Sequence, residues 1–225
     1  SVTSGSQYLP AQIRYAVLLA KQGKIDEARQ HLQQLPATNE QQRAQLIIAE
    51  AQLLRETGAH QEVFALLSRG LEKLPDYPDL LYDRALAADK IGKPEILEQD
   101  LRKLIQLKPD HAHAYNALGY SFTEHNHRLP EALELIEKAS RLSPDDPYIM
   151  DSLGWVHYRM GNLNQGIDYL RRAFVIYPDP EIAAHLGEAL WTQGTTDEAK
   201  EIWDSALRSY PGNEALLKTM KKFIP

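Results

Sequence analysis

The strongest constraint on this chain is a proline that recurs about every 34 residues. The prolines in question are Pro75, Pro109, Pro144, Pro178 and Pro211, which gives spacings of 34, 35, 34 and 33 residues. A fixed period between about 20 and 50 residues is typical of solenoids and other repeat arrays. We therefore expect stacked copies of one small unit rather than a single globular core.

Two further positions recur in the same register. A small residue stands at Ala51, Ala85, Gly119, Gly154 and Gly187, and a helix-breaking residue follows at Gly58, Gly92, Asn126, Gly161 and Gly194. A small side chain lets a facing helix approach closely, and Gly or Asn ends a helix in the left-handed conformation. Each repeat is therefore predicted to be a pair of antiparallel helices. A sixth copy upstream has Ala16, Gly23 and Ala28 at the corresponding places.

This pattern predicts six repeats between a short N-terminal segment and a C-terminal cap. The predicted ranges are 1–8 for a disordered or linker N-terminus, 9–43, 44–77, 78–111, 112–146, 147–179 and 180–213 for the repeats, and 214–225 for a capping helix. The cap is expected to turn Leu216, Leu217, Met220 and Phe223 inward and its lysines outward. Because the chain opens at Ser1 without a methionine or a signal-peptide pattern, we expect a processed product or part of a longer chain.

Composition excludes several classes of protein. The 225 residues contain no cysteine, which rules out disulfides, thiolate metal sites and a cysteine nucleophile. The formal net charge of -6 disfavours binding to the phosphate backbone of nucleic acid. No apolar run approaches the roughly 18 residues of a membrane span.

Local signals agree with helices and indicate no active site. Pro94 and Pro130 are predicted to stand at helix starts, and Asp146 and Asp179 are predicted to cap the helices that follow them. The sequence contains no phosphate-binding glycine loop, nucleophile elbow or metalloprotease motif, so we expect neither an enzyme nor a cofactor.

The histidines cluster in pairs, at His111 with His113 and at His125 with His127. The two pairs are separated by a helix of about 12 residues, or roughly 18 Å, so they do not converge on one metal ion. We expect solvated turn histidines and no metal site.

The runs Asn116-Ala117-Leu118-Gly119-Tyr120, Asp151-Ser152-Leu153-Gly154-Trp155 and His185-Leu186-Gly187 resemble the tetratricopeptide repeat (TPR) family. The resemblance implies an all-α fold, a right-handed α-α superhelix of six TPR hairpins closed by the capping helix. It covers the chain from about Leu9 onward. Repeats two and three depart from the family pattern, with Val63, Leu97 and Leu104 where small residues are usual, so their helices are expected to pack less closely.

In that family the first helices of successive repeats line a concave groove that binds peptides. Carried onto this sequence, the groove positions imply the following peptide-binding residues: Tyr82, Asp89, His113, Asn116, Tyr120, Tyr148, Asp151, Trp155, Tyr158, Arg159, Glu188 and Trp191. Aromatic and amide side chains of this kind supply contact area and hydrogen bonds at low entropic cost. The alternative for any one ring, such as Trp155 or Tyr120, is that it packs between neighbouring repeats.

If these side chains are exposed, Trp155→Ala and Asn116→Ala are expected to weaken ligand capture without unfolding the protein. Gly154→Leu, by contrast, is expected to wedge two helices apart and to destabilise the fold by ~1–3 kcal/mol.

Repeats four to six also resemble the C-terminal half of large TPR proteins and lipoproteins of the Gram-negative envelope. That similarity implies the periplasmic side of the outer membrane, with the cytoplasm as the alternative, and an adaptor role for a carboxyl-terminal processing protease. The leading function hypothesis is thus a non-catalytic scaffold or adaptor that holds a protein or peptide in its groove. Two alternatives stay open: self-assembly as a homodimer, and service to an enzyme domain elsewhere in a longer chain.

Overall fold

The structure, a computed structural model, describes residues 8–224. Over that range every regular element is a helix and no residue is in a strand, so the all-α prediction is confirmed. The chain divides into two compact units, Ser1–Pro109 and Asp110–Pro225. Of the predicted N-terminal linker, residues 1–7 lie outside the described residues, and Tyr8 is already helical.

The first unit contains six described helices. These are α1 (Tyr8–Lys21), α2 (Ile25–Gln34), α3 (Glu40–Glu56), α4 (His60–Lys73), α5 (Pro78–Lys90) and α6 (Pro94–Leu107). Each odd-numbered helix packs against the even-numbered helix that follows it, and α3 lies beside both α1 and α5.

The described residues of the second unit form seven helices. They are α7 (Ala112–Glu124), α8 (Leu129–Leu142), α9 (Pro147–Arg159), α10 (Leu163–Ile176), α11 (Pro180–Gln193), α12 (Thr196–Ser209) and α13 (Glu214–Phe223). Here too consecutive helices pair, as α7 with α8, α9 with α10 and α11 with α12. Helices α7 and α11 both pack on α9, and α13 packs mainly on α11. The odd-numbered helices of this unit therefore lie side by side.

Helix ends follow from the local sequence. Pro94 begins α6 and Pro130 is the second residue of α8, where a missing amide hydrogen is tolerated. The Asp146 carboxylate accepts hydrogen bonds from the backbone of Tyr148 and Ile149, at 2.9 and 3.1 Å. Asp179 caps α11 in the same manner. The prolines and the capping carboxylates thus set where the helices start, as predicted.

The predicted helix breaks all adopt the left-handed conformation. The positive φ angles are found at Gly23, Gly58, Gly92, Asn126, Gly161 and Gly194. Each break turns the chain directly into the second helix of its pair.

The small residues in the first helix of each pair are buried at helix contacts. A Cβ placed on Gly154 would lie 2.7 Å from Cγ of Leu170 and 2.9 Å from the carbonyl oxygen of Gly166, both on α10. Such distances are shorter than van der Waals contact, so α9 and α10 can approach this closely only around glycine. Where larger residues replace small ones, at Val63, Leu97 and Leu104, the side chains lie in the core of the first unit.

The last helix is amphipathic, and its apolar side packs on the second unit. Leu216 is fully buried, while Met220 and Phe223 are partly buried against the same core cluster. Lys218, Lys221 and Lys222 are exposed. None of the described helices combines the length and apolarity that a membrane span requires.

Candidate functional site: the shared face of α7, α9 and α11

Residues at helical spacing bring three helices of the second unit to one surface. On α7 the positions 116, 120 and 124 are four apart, and 151, 155 and 158 on α9 and 181, 185 and 188 on α11 follow the same three-to-four spacing. We call this surface the shared face and define it by its members: Asn116, Tyr120, Glu124, Asp151, Trp155, Tyr158, Glu181, His185 and Glu188. It brings together six of the twelve residues that the sequence predicted.

A hydrogen bond spans the shared face from α7 to α11. The Tyr120 hydroxyl donates to Oε1 of Glu181 at 2.7 Å, although the two residues are 61 positions apart. Burial raises the pKa of Tyr120 above its ordinary value, and the charges of Glu181 and Glu124 raise it further. The phenol is therefore a permanent donor, and it ties the outer two helices together over α9.

Beneath this bridge lies a buried pair of titratable groups. Asp151 is only 4% exposed and His185 only 8%, and Nδ1 of His185 lies 3.0 Å from both oxygens of the Asp151 carboxylate. Burial alone lowers the pKa of His185. The charge and hydrogen bond of Asp151, and then the charges of Glu181 and Glu124, have a larger effect and raise this pKa above 6.5. Burial raises the pKa of Asp151, and His185 counteracts that shift. The pair therefore holds its proton more tightly than either free side chain does.

His185 was missed by the sequence analysis, which treated it only as part of the helix-packing pattern. The available signal was its distance of 34 residues from Asp151, one repeat further along the chain. Residues one repeat apart occupy equivalent places on neighbouring helices, so an acid and a histidine at that separation can pair. The expectation that Asp151 is exposed was wrong because this pairing buries it.

Trp155 is buried as well. Only 4% of it is exposed, and its ring stacks on His185 at a centroid distance of 4.1 Å and on Tyr158 at 4.8 Å. Its Nε1–H donates to Oε1 of Glu124 on α7 at 2.7 Å. The expectation of an exposed tryptophan was thus wrong, and the alternative of packing between neighbouring repeats is what the structure shows. A ring of this size is buried because three helices contribute groups to both its faces and its edge.

A second aromatic–carboxylate contact continues the surface toward the C-terminus. The Tyr158 hydroxyl lies 3.4 Å from Oε1 of Glu188 and 3.1 Å from Oγ1 of Thr192. The other carboxylate oxygen of Glu188 pairs with Nζ of Lys222 at 3.4 Å, which links α11 to the capping helix. Burial raises the pKa of Tyr158, so this hydroxyl also stays protonated.

Asn116 is half-buried on α7, one turn before Tyr120. Its amide oxygen is buried and has no hydrogen-bond partner among residues 8–224. An unsatisfied buried acceptor costs about 1–3 kcal/mol, so a donor that reached this oxygen after rotation of the Asn116 side chain would recover that cost.

Three predicted residues of the second unit lie at the edge of the shared face. His113 is exposed, with Nε2 3.7 Å from Oδ2 of Asp146. Tyr148 is 46% exposed, and its ring packs against Tyr177 at a centroid distance of 5.7 Å and an interplanar angle of 60°. The Arg159 guanidinium lies over the Trp155 ring at 5.7 Å.

The remaining predicted residues are placed elsewhere. Trp191 packs against Trp203 and Phe223, in the contact between α11 and the capping helix. Tyr82 is half-buried and Asp89 is exposed, both on α5 of the first unit. Trp191 therefore lies outside the shared face, and Tyr82 and Asp89 belong to the first unit.

The histidines of the turns have local roles. Nδ1 of His111 accepts a hydrogen bond from the backbone of Ala114 at 3.1 Å, and Nδ1 of His125 lies 2.8 Å from the carbonyl oxygen of Ser121. Within the part of the chain that the structure describes, no group of three His, Asp or Glu side chains could hold a metal ion.

Known proteins show similarity both in sequence and in fold. A TPR repeat-containing protein from Pseudomonas aeruginosa is 42% identical over 187 residues, which is 83% of this chain and 32% of that protein. A small glutamine-rich tetratricopeptide repeat-containing protein from Mycosarcoma maydis is 29% identical over 54% of the chain and 32% of its own length. The chain thus spans about a third of the length of these relatives.

Solved structures support the solenoid fold. A tetratricopeptide repeat protein from Parabacteroides merdae has a TM-score of 0.74 at 16% identity, with 96% of this chain and 86% of that chain covered. A thermophilic TPR protein from Thermus thermophilus has a TM-score of 0.70 at 23% identity, with 81% of this chain and 98% of that chain covered.

TPR folds are generally non-catalytic scaffolds for protein–protein interaction, and no catalytic family is indicated for this chain. One tetratricopeptide repeat family model matches residues 82–147 and 152–214, and a second matches residues 11–38. With more than half of its residues matched in this way, the chain belongs to the tetratricopeptide repeat family.

Proposed function

We propose that the chain is a non-catalytic scaffold that binds an extended polypeptide segment on the shared face of α7, α9 and α11. The observation that carries the proposal is the amide oxygen of Asn116, which is buried and has no partner among the described residues. Once the half-buried Asn116 side chain rotates outward, a backbone N–H of a bound segment supplies the missing donor whatever the sequence of that segment.

The surroundings of Asn116 suit such a ligand. Tyr120 and Glu181 are held in one orientation by their mutual hydrogen bond, and Trp155 holds Glu124 in the same way. Side chains that are already ordered lose little entropy on binding. Glu124 and Glu181 are exposed, so each can still contact a ligand.

Trp155 and Asp151 have a different role in this proposal from the one expected of exposed groove residues. Because both are buried, they support the surface from below and do not contact the ligand. The contact residues are therefore Asn116, Tyr120, His113 and the exposed carboxylates.

A more specific proposal is that the chain acts as an envelope adaptor. In this role it presents substrates to a carboxyl-terminal processing protease on the periplasmic side of the outer membrane. Its support is the resemblance of repeats four to six to envelope TPR proteins, together with the 42% identity to a Pseudomonas aeruginosa protein. The partner protease and the compartment are both part of the proposal.

Site-specific photo-crosslinking tests the shared face directly. A photoreactive phenylalanine analogue replaces the exposed His113, and the matched control carries it at the exposed Asp168 on α10. We expect adducts with envelope proteins from position 113 but not from position 168, and we expect Asn116→Ala to remove them without lowering the melting temperature. Equal adducts from both positions, or adducts that persist in Asn116→Ala, would refute the proposal. An adduct with a second copy of the chain supports the self-assembly alternative instead.

A further inference from the structure

A cleft of about 410 Å³ opens in the first unit. It lies between α2, α3 and α4 and the linker that joins α2 to α3. The volume falls in the range of about 300–1,000 Å³ that is typical of ligand pockets.

The cleft exists because α2 is too short to cover its neighbours. Helix α2 has 10 residues, whereas α4 and α6, the second helices of the next two pairs, have 14 each. The cause is Pro36, since the residue before a proline is disfavoured in the helical conformation. Leu35 accordingly adopts extended angles, with φ -71° and ψ 134°. About one helical turn is missing, which leaves the adjoining sides of α3 and α4 open.

Two helical stripes line the open sides. Residues 43, 46, 47 and 50 of α3 and residues 66, 69, 70 and 73 of α4 each follow the i, i+3, i+4, i+7 spacing of a single helix face. Both stripes contribute apolar side chains, and the half-buried Leu46 and Ile47 of α3 and Leu66 of α4 face the cleft together with Leu35. Gly70 has no side chain, so the apolar floor of the cleft, formed by Leu35, Leu46, Ile47 and Leu66, is left open at this position.

Both stripes also carry basic residues. Arg43, Arg69 and Lys73 are exposed around the cleft, and none of their side chains has an ion-pair or hydrogen-bond partner among the described residues. Unpaired cations around an apolar floor are notable in a chain with 31 acidic and 25 basic residues. An acidic ligand therefore finds complementary charge here.

Acidic groups also line the cleft, and one of them is already neutralised. Glu50 is buried and accepts hydrogen bonds from Nε of Arg29 at 3.1 Å and from Nε2 of Gln33 at 2.7 Å. Glu72 is exposed beside the cleft. Three unpaired cations against one exposed carboxylate leave the rim with a net positive charge.

We propose that this cleft binds an acidic segment of a partner protein, with an apolar side chain of the segment seated on the floor and its carboxylates at the basic rim. An apolar anchor in a pocket surrounded by charged groups is the usual arrangement of a binding hot spot. The rim charges additionally speed the encounter with an acidic partner. This surface is independent of the shared face, because it lies on other helices and carries charge of the opposite sign.

The test uses fluorescence anisotropy with three labelled hexapeptides on the intact chain. The probe has two leucines flanked on each side by two glutamates. The first comparison peptide has lysines in place of the glutamates. The second comparison peptide has glycines in place of the leucines. We expect the probe to bind, the lysine peptide not to bind, and the glycine peptide to bind at least about tenfold more weakly.

Two variants of the cleft and one matched control decide whether binding occurs there. Arg69→Glu with Lys73→Glu reverses two exposed charges and is expected to weaken probe binding by about tenfold or more. Ala37→Trp fills the cleft from the linker and is expected to give the same loss. Arg208→Glu with Lys218→Glu changes net charge equally in the second unit and is expected to bind the probe as the wild type does.

The proposal is overturned if no probe binding is measured up to a protein concentration of about 1 mM, since a dissociation constant above that value means negligible affinity. It is equally overturned if the glycine peptide binds as tightly as the probe, or if the control variant loses as much affinity as the cleft variants. Melting curves of each variant establish that it is folded before its binding is compared.

Discussion

Nδ1 of His185 lies 3.0 Å from both carboxylate oxygens of Asp151, and both side chains are buried between α9 and α11. The Trp155 ring stacks on the imidazole with an interplanar angle of 14°. Helical spacing alone predicts that this surface binds a ligand. The structure shows instead that its central side chains are a buried ion pair and a buried tryptophan. The residues that we propose contact a ligand, Asn116 and Tyr120, lie around this buried pair.

The buried pair makes stability depend on pH. The pKa of His185 is raised above its ordinary value of 6.5, so the native protein holds this proton more tightly than the unfolded chain does. The stabilisation is fully present below pH 6.5 and is lost as the pH rises through the native pKa. The raised pKa of Asp151 has the same sign and does not cancel this trend.

We therefore expect the free energy of unfolding, measured with urea at a series of pH values, to fall in the wild type as the pH rises above 6.5. The decline should be smaller in His185→Gln. His157, whose pKa burial lowers, is present in both proteins, so its contribution cancels in the difference. Parallel pH profiles for the two proteins would show that the pair does not hold the proton.

Trp155→Ala is expected to destabilise the protein by about 3–5 kcal/mol, because the ring is buried and its loss leaves a cavity among His185, Tyr158 and Glu124. Trp155→Phe keeps an aromatic ring but loses the hydrogen bond to Glu124, which costs about 1 kcal/mol. Urea unfolding measures both. Tyr148→Ala at an exposed position is the control, and an equal loss there would contradict a supporting role for Trp155.

Gly154→Ala is expected to destabilise the second unit by ~1–3 kcal/mol, since the added Cβ would press on Leu170 and Gly166 of α10. Gly154→Leu should cost more. Gln165→Ala, at an exposed position of α10, should change stability by less than about 0.5 kcal/mol. If thermal unfolding of Gly154→Ala matched that of Gln165→Ala, the close approach of α9 and α10 would not be needed for stability.

Arg84 and Asp100 form a two-armed ion pair between α5 and α6, with Nε and Nη2 each 2.7 Å from a carboxylate oxygen. Asp100 is only 2% exposed. Removing one partner leaves the other as a buried charge without a partner. Arg84→Met alone is therefore expected to lower the free energy of unfolding by about 3–5 kcal/mol. The double variant Arg84→Met with Asp100→Leu should recover most of that loss, and a double-mutant cycle by urea unfolding measures the coupling. Additive losses in the cycle would contradict the expected coupling.

The sequence by itself determined the helical architecture. Proline fixes where α6 and α8 begin, Asp146 and Asp179 cap the helices that follow them, and the breaks at glycine or Asn126 adopt positive φ. These features depend on the backbone preferences of single residues and their immediate neighbours. For the same reason a repeating pattern of small residues was enough to indicate paired helices.

Only the tertiary structure decided which side chains of the shared face are buried. Tyr120 reaches Glu181 across 61 residues, and the burial of Trp155 requires groups from α7 and α11 on either side of α9. The cleft above Leu46 and Leu66 likewise results from a helix that ends early beside two others. Helical spacing assigns a residue to one side of its own helix, but its burial depends on helices that are distant in sequence, and no local pattern contains that information.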